Sequence, residues 1–202
     1  MTMDNRQEHL IEFIRKKGGF VNTSDLINAG FYKALIGEAL NSGQIERLSR
    51  GVYSLVDIPD IQHPDLVTVS VLVPRGVICL ISALSFHEVT DEIPHCIDVA
   101  ILTQTRAKEI KNIPVRYYRF SKKNWETAIE EHDIDGHKIR VYSLAKTIAD
   151  CFRFRNQIGM DVARSALKNA LKQKKASHRE IMKYAAIGRV TKVIKPILET
   201  LL

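Results

Sequence analysis

Between Lys33 and Arg50 stand four side chains of the types that read nucleic acid. Lys33 and Asn41 can donate to base edges, and Arg47 and Arg50 can pair with phosphate oxygens. Ala34 and Gly37 are small enough to let a helix approach a groove closely, while Glu38 would repel phosphate unless it accepts from a cytosine amino group or faces away. Thr23, Ser24, Tyr32, Lys33, Gly37, Asn41, Arg47 and Arg50 form the candidate DNA-binding set.

A second group has the residue types of a metal site. His87-Glu88-Val89-Thr90-Asp91 looks like a zincin helix motif with Asp where the second His belongs, and His95, Cys96 and Asp98 follow. Pro94 and the strand-like run after it place His95 on a different element, so polar residues at a helix end and in a loop are expected there, without a metal. Ser143, Thr147 and Asp150 fall on one side of a helix. Ser143 is expected to cap it, and the other two to make local or buried hydrogen bonds.

Cys79, Cys96 and Cys151 are odd in number, far apart and set in apolar segments without C-x-x-C spacing, which reads as buried thiols in a reducing cytoplasm. There is no Gly-Ser dipeptide of the nucleotidyltransferase kind, no phosphate-cradling G-x-x-x-x-G-K-[ST] loop and no G-x-S-x-G elbow. The sequence therefore points to no catalytic residue and to no cofactor. Trp125, Tyr117, Tyr118 and Phe120 read as core and hairpin packing, not as a base-stacking platform.

The formal charge of +7 is unevenly placed. Residues 1–57 hold seven Lys/Arg against seven Asp/Glu, residues 58–140 hold 10 against 12, and residues 141–202 hold 13 against four. Within the last third, Lys168, Lys172, Lys174, Lys175, Arg179 and Lys183 form a cluster that could be a solvated face, a phosphate contact or a surface for an acidic partner.

The elements that must position these residues follow from periodicity. Asp4 to Lys17 carries Leu10, Ile11, Phe13 and Ile14 at helical spacing and is stopped by Gly18-Gly19. Phe20 and Val21 suit a short strand, and Thr23 or Asn22 caps a helix over 24–28. Phe31 to Asn41 is the candidate recognition helix, with Leu35, Ile36, Ala39 and Leu40 as its inward stripe. Gln44 to Leu48 and Val52 to Leu55 are strands about the Ser49-Arg50-Gly51 tip. That order is a winged helix-turn-helix, which sets one helix into a DNA groove.

Prolines 59 and 64 mark a boundary, with residues 58–62 as linker. Leu66 to Val73 is ambiguous between strand and buried helix. Ser82 to His87 reads as a short helix, and 97–102 and 115–120 as strands. Glu126 to Ile134 and His137 to Tyr142 flank the hairpin signal Asp135-Gly136. Helices are expected over 143–155, 161–174, 177–186, where Ser177 and Glu180 form a capping box, and 191–201, where Pro196 kinks or ends the last one. The N-terminus lacks a basic segment followed by an apolar stretch, and the apolar run from Leu66 to Phe86 is broken by Pro74, Arg75 and Gly76. Neither secretion nor membrane spanning is expected, and the cytoplasm is the expected location.

Val21-Asn22-Thr23-Ser24-Asp25-Leu26, the wing from Gly43 to Tyr53, the stretch from Ile81-Ser82-Ala83-Leu84 through Ile97-Asp98-Val99-Ala100, the segment Val141 to Asp150 and the tail from Gly159 occur here in one order. In this order the chain resembles the AbiEi-type antitoxin and transcriptional regulator family of abortive-infection, type IV toxin-antitoxin systems. The resemblance implies a DNA-binding N-terminal domain that represses its own operon and a C-terminal domain that neutralises a nucleotidyltransferase-like toxin.

The expected fold is α+β, with a winged helix-turn-helix over 1–57 and a larger mixed α/β domain over 63–202 that ends in helices. The expected function is that of a non-enzymatic operator-binding repressor and antitoxin. Its expected partners are double-stranded operator DNA and a nucleotidyltransferase-like toxin, and the sequence leaves its oligomeric state open. Two alternatives stay open: a nuclease or nucleotidyltransferase-class enzyme targeted by the winged domain, and a winged domain used for protein docking. The scarcity of clustered acids in the basic last third speaks against the first, while the neutral charge of residues 1–57 keeps the second in play.

Overall fold

The structure, a computed structural model, describes residues 3–58 and 61–200, with side chains from Arg6 onward. Part of the expected 58–62 linker, the side chain of Asp4 and Leu201 lie outside the described residues. The chain divides into two compact units, one of Met1–Pro74 with Asp133–Lys138 and one of Arg75–His132 with Ile139–Leu202.

In the first unit, α1 (Met3–Lys16) buries Leu10 and Ile14 one turn apart, with Ile11 and Phe13 beside them. Gly18 and Gly19 end it in left-handed conformations, φ +79° and +91°, and the Gly19 amide donates to the Ile14 carbonyl at 2.9 Å. At Gly18 a side chain has no room. A Cβ would stand 2.1 Å from Nε2 of His137, which is itself 2.8 Å from the Gly18 carbonyl oxygen.

Strand β1 (Phe20–Asn22) leads into α2 (Thr23–Asn28), whose cap is Asn22, the second of the two sequence candidates. The Asp25 carboxylate accepts from the Asn22 amide at 3.4 Å. Gly30, at φ +89°, breaks the chain before α3 (Lys33–Asn41), which starts two residues later than the periodicity suggests because Tyr32 is extended and occupies the cap position. Strands β2 (Ile45–Ser49) and β3 (Val52–Leu55) complete an antiparallel sheet in the order β1-β3-β2. Its apolar face joins Leu26, Leu35, Ile36 and Ala39 in one core with α1. The ambiguous segment is a helix, α4 (Pro64–Leu72), with Pro64 in its first turn, where a missing amide hydrogen costs nothing.

The second unit is built on a five-stranded sheet in the order β6-β5-β4-β8-β7 with helices, except that residues 133–138, at the hairpin end of β7 and β8, cluster with the first unit. Its elements run β4 (Val77–Ile78), α5 (Leu80–Phe86), β5 (Ile97–Leu102), β6 (Val115–Phe120), α6 (Lys122–Trp125), β7 (Ile129–Ile134), β8 (His137–Tyr142), α7 (Leu144–Arg153), α8 (Arg155–Ile158), α9 (Met160–Lys172), α10 (His178–Gly188) and α11 (Thr191–Glu199). Strands β5 and β6 pair in parallel, as do β4 and β8, while β4 and β5 are antiparallel. The sheet is mixed, and its central strand is only two residues long.

Asp135 and Gly136, at φ +50° and +85°, make the tight hairpin turn expected between β7 and β8. Helix α7 buries its residues from Leu144 to Phe152, and Ser177 and Glu180 form the expected capping box at α10. Pro196 sits inside α11 without ending it. The whole is a mixed α/β protein whose N-terminal element order fits a winged helix-turn-helix.

Candidate nucleic-acid interface

The candidate recognition helix α3 packs inward through Leu35, Ile36 and Ala39, which leaves Lys33, Ala34 and Asn41 exposed on its other side. Gly37 and Glu38 are half-buried. A methyl group on Gly37 would meet no atom within 4 Å, so the packing of the protein itself does not require glycine there. Tyr32, at the cap, is 43% exposed, and Ile27 on α2 is 44% exposed. Large apolar side chains left uncovered beside a polar helix face suit contact with a partner surface.

The turn between β2 and β3 is tied to the start of α2. The Thr23 amide donates to the Gly51 carbonyl at 2.8 Å, and a Cβ on Gly51, which lies at φ +79°, would be 3.4 Å from Thr23 Oγ1. This bond brings together half-buried Thr23, exposed Ser24 and the Arg50-Gly51 tip. The ladder slips between Arg47 and Ser49, which increases local twist at the tip. Arg47 is exposed and its Nε donates to the Ser49 carbonyl at 3.3 Å, so its guanidinium is steered along the tip, while Arg50 is exposed at the turn.

All six residues of the C-terminal basic cluster are exposed. Lys168, Lys172, Lys174 and Lys175 line one cavity of about 740 Å³ with Ser177, His178 and Glu180, whereas Arg179 and Lys183 lie outside it. Lys175 already has partners, since its ammonium donates to the His87 carbonyl at 2.9 Å and to Glu88 Oε2 at 3.3 Å.

The zincin-like segment leaves its helix at the first residue. His87 is the cap of α5, with Nε2 2.8 Å from the Tyr142 carbonyl oxygen, and Glu88 follows in a left-handed conformation. Burial lowers the pKa of His87. Among the described residues no three metal-ligating side chains converge. Cys79 and Cys151 are buried, and burial pushes both thiols well up, which keeps them unreactive. Cys96 is half-buried, not buried as its apolar setting suggests, and its Sγ lies 3.8 Å from Asp98 Oδ1.

Ser143 caps α7, and Thr147 Oγ1 donates to the Tyr142 carbonyl at 3.2 Å, as their spacing suggests. Asp150 is more deeply committed. It forms an ion pair with Lys146, one turn earlier, and both side chains are almost wholly buried. The Lys146 ammonium also lies 3.7 Å from the Tyr142 ring centroid and 4.9 Å from that of Phe120. Burial lowers the pKa of Lys146 and raises that of Asp150, with each partner opposing the other's shift. Sequence reasoning reaches Asp150 but misses Lys146, although the i, i+4 spacing of the two is a readable signal.

The aromatic residues pack as expected. Tyr118 and Phe120 are buried, and the Trp125 indole N–H donates to the Ala100 carbonyl at 3.3 Å, with the Arg140 guanidinium over its ring. Among the described residues, no helix is long and apolar enough to cross a membrane.

No curated protein matches this chain. Residues 8–56, which run from within α1 to just past β3, match the family described as transcriptional regulator, AbiEi antitoxin. That match takes in every candidate residue of the first unit, from Thr23 to Arg50, and over these residues the chain is similar to the AbiEi antitoxin family of transcriptional regulators.

Proposed function

We propose that the chain is an operator-binding repressor that also serves as antitoxin to a nucleotidyltransferase-like toxin. Its N-terminal elements act as a winged helix-turn-helix. One observation carries the DNA reading: the segment that matches the regulator family coincides with α1 through β3, and α3 leaves Lys33, Ala34 and Asn41 exposed beside the Arg47 and Arg50 tip. Lys33 and Asn41 read base edges, while Thr23, Ser24, Tyr32, Arg47 and Arg50 hold the phosphate backbone. The toxin role is assigned in this reading to residues 63–202, most of which form the larger second unit, and it rests on the family's description as antitoxin.

Replacing Lys33 and Asn41 by Ala in the full chain should lower the preference for operator over random duplex, each base-edge interaction removed counting for about 1–3 kcal/mol. The same double variant, co-expressed with the toxin from a foreign promoter, should still restore growth. Equal affinity of the unmodified protein for operator and random duplex would overturn the repressor reading. Loss of protection when the toxin is driven from its own operator, with protection kept under the foreign promoter, would assign protection to repression.

A further inference from the structure

The second unit holds a cavity of about 520 Å³ lined by none of the six residues of the lysine cluster. Its charged lining residues are Lys123 of α6, Arg153 at the end of α7 and Arg189 just after α10, and among the described residues no carboxylate lines it. Ser121 and Asn124 add neutral hydrogen-bonding groups. Three cations gathered around one concavity repel one another; among the described residues no carboxylate in the lining offsets that, and Asp150, three residues before Arg153 on α7, offsets part of the Arg153 charge from outside it.

Arg153 is the informative member. Its guanidinium lies over the rings of Phe120 and Phe154, 5.5 and 5.4 Å from their centroids, and these faces fix its plane. Its Nη1 is buried and has no hydrogen-bond partner among the described residues. That nitrogen is closed to solvent, so Arg153 serves the cavity as a positive charge in its lining, and an anion is the partner that suits such a charge. Among the described residues, neither Lys123 nor Arg189 is in an ion pair. Arg189 is the C-terminal cap of α10, in the left-handed conformation that commonly ends a helix, φ +59°.

We propose that this cavity binds a phosphate group, either the free ion or one carried by a small molecule. Phosphate matches the site in charge, since it is close to a dianion at neutral pH, and in its several acceptor oxygens. The volume admits a ligand of up to nucleotide size, whereas a duplex cannot enter a concavity of this size. The inference is independent of the operator and toxin roles.

The test is calorimetric titration of the full chain with inorganic phosphate and with adenosine monophosphate, at constant ionic strength set with chloride. Saturable binding at a single site is expected. It should weaken by about tenfold or more in Lys123→Gln and in Arg189→Gln, and stay unchanged in Lys172→Gln, which lies in the other basic cluster. Arg189→Gln and Lys123→Gln alter exposed side chains, and an unchanged melting temperature will show that they fold. Tighter binding of the nucleotide names a phosphorylated metabolite as the source, and equal or tighter binding of inorganic phosphate names the free ion. No saturable heat from either probe up to about 10 mM, or binding unaltered in both cavity variants, overturns the proposal.

Discussion

At Gly37 the needs of the fold and those of the proposed interface can be separated. The residue sits in the middle of α3, where glycine weakens a helix relative to alanine by about 0.5–1 kcal/mol, and an added methyl would touch nothing within 4 Å. Gly37→Ala should therefore raise the stability of the free protein by about that amount, read as an increase in melting temperature. If α3 approaches DNA as closely as its small residues suggest, the same methyl intrudes on the interface. Operator affinity should then fall by about 1–3 kcal/mol. A more stable variant with unaltered operator affinity would show that α3 does not meet the groove through this face. The exposed side of α3 was legible in sequence because Leu35, Ile36 and Ala39 fix its inward stripe. The steering of Arg47 by the Ser49 carbonyl was not, since it depends on a slip in strand register.

At the scale of elements, β5 is joined to the start of α5 by polar groups that are buried or nearly so. Asp98 Oδ2 accepts from the Ile81 amide at 3.2 Å, the Asp98 amide donates to Ser82 Oγ at 2.9 Å, and the Asp98 carbonyl accepts from the Cys79 amide at 3.0 Å. Asp98 is 1% exposed, and burial pushes its carboxyl up to about 6, with Arg116 and the hydrogen bonds pulling the other way. A carboxyl near 3.9 in the unfolded chain and near 6 when folded binds its proton more tightly in the folded state. Its stabilising contribution is full below the unfolded value and is lost as pH rises from about 4 through 6, a difference of roughly 3 kcal/mol. Asp98→Asn removes the titration, so its stability should vary less between about pH 4 and 7 than that of the unmodified chain. Trp125, the single tryptophan, lies in the same unit and reports urea unfolding by fluorescence. Parallel stability curves for the two proteins would remove Asp98 as the source of the pH dependence. Elements with a strong period or cap, such as α1, α10 and the β7–β8 hairpin, were readable within a few residues. Strand β4 was not, because two residues carry no period and Val77 and Ile78 become a strand only by pairing with Ala100, Val99 and Val141 far along the chain.

At the scale of the whole molecule, charge is segregated. The first 57 residues are formally neutral, and the last 62 carry 13 basic residues against four acidic ones. If the formally neutral first 57 residues read DNA as proposed, Arg47 and Arg50 supply few phosphate contacts, and the exposed basic residues of α9, α10 and the loop between them are a further source of salt-dependent DNA affinity. Cutting the chain near residue 61 is a poor test, because residues 133–138 cluster with the N-terminal elements and would be removed as well. The better experiment keeps the full chain and replaces Lys168, Lys172, Lys174, Arg179 and Lys183 by Gln. Lys175 is spared because it holds the His87 carbonyl and Glu88. If these residues meet phosphate, binding to operator and to random duplex should weaken alike. The dependence of log affinity on log salt should become shallower by about one unit for each phosphate no longer neutralised. Replacing Lys33 and Asn41 should instead reduce the preference between the two duplexes and leave the salt dependence nearly unchanged, because hydrogen bonds to base edges release few counterions. Matching affinities for the unmodified and lysine-depleted proteins across the whole salt series would remove the cluster from the DNA interface. Its charge would then be free to meet an acidic toxin surface, where association slows as salt rises.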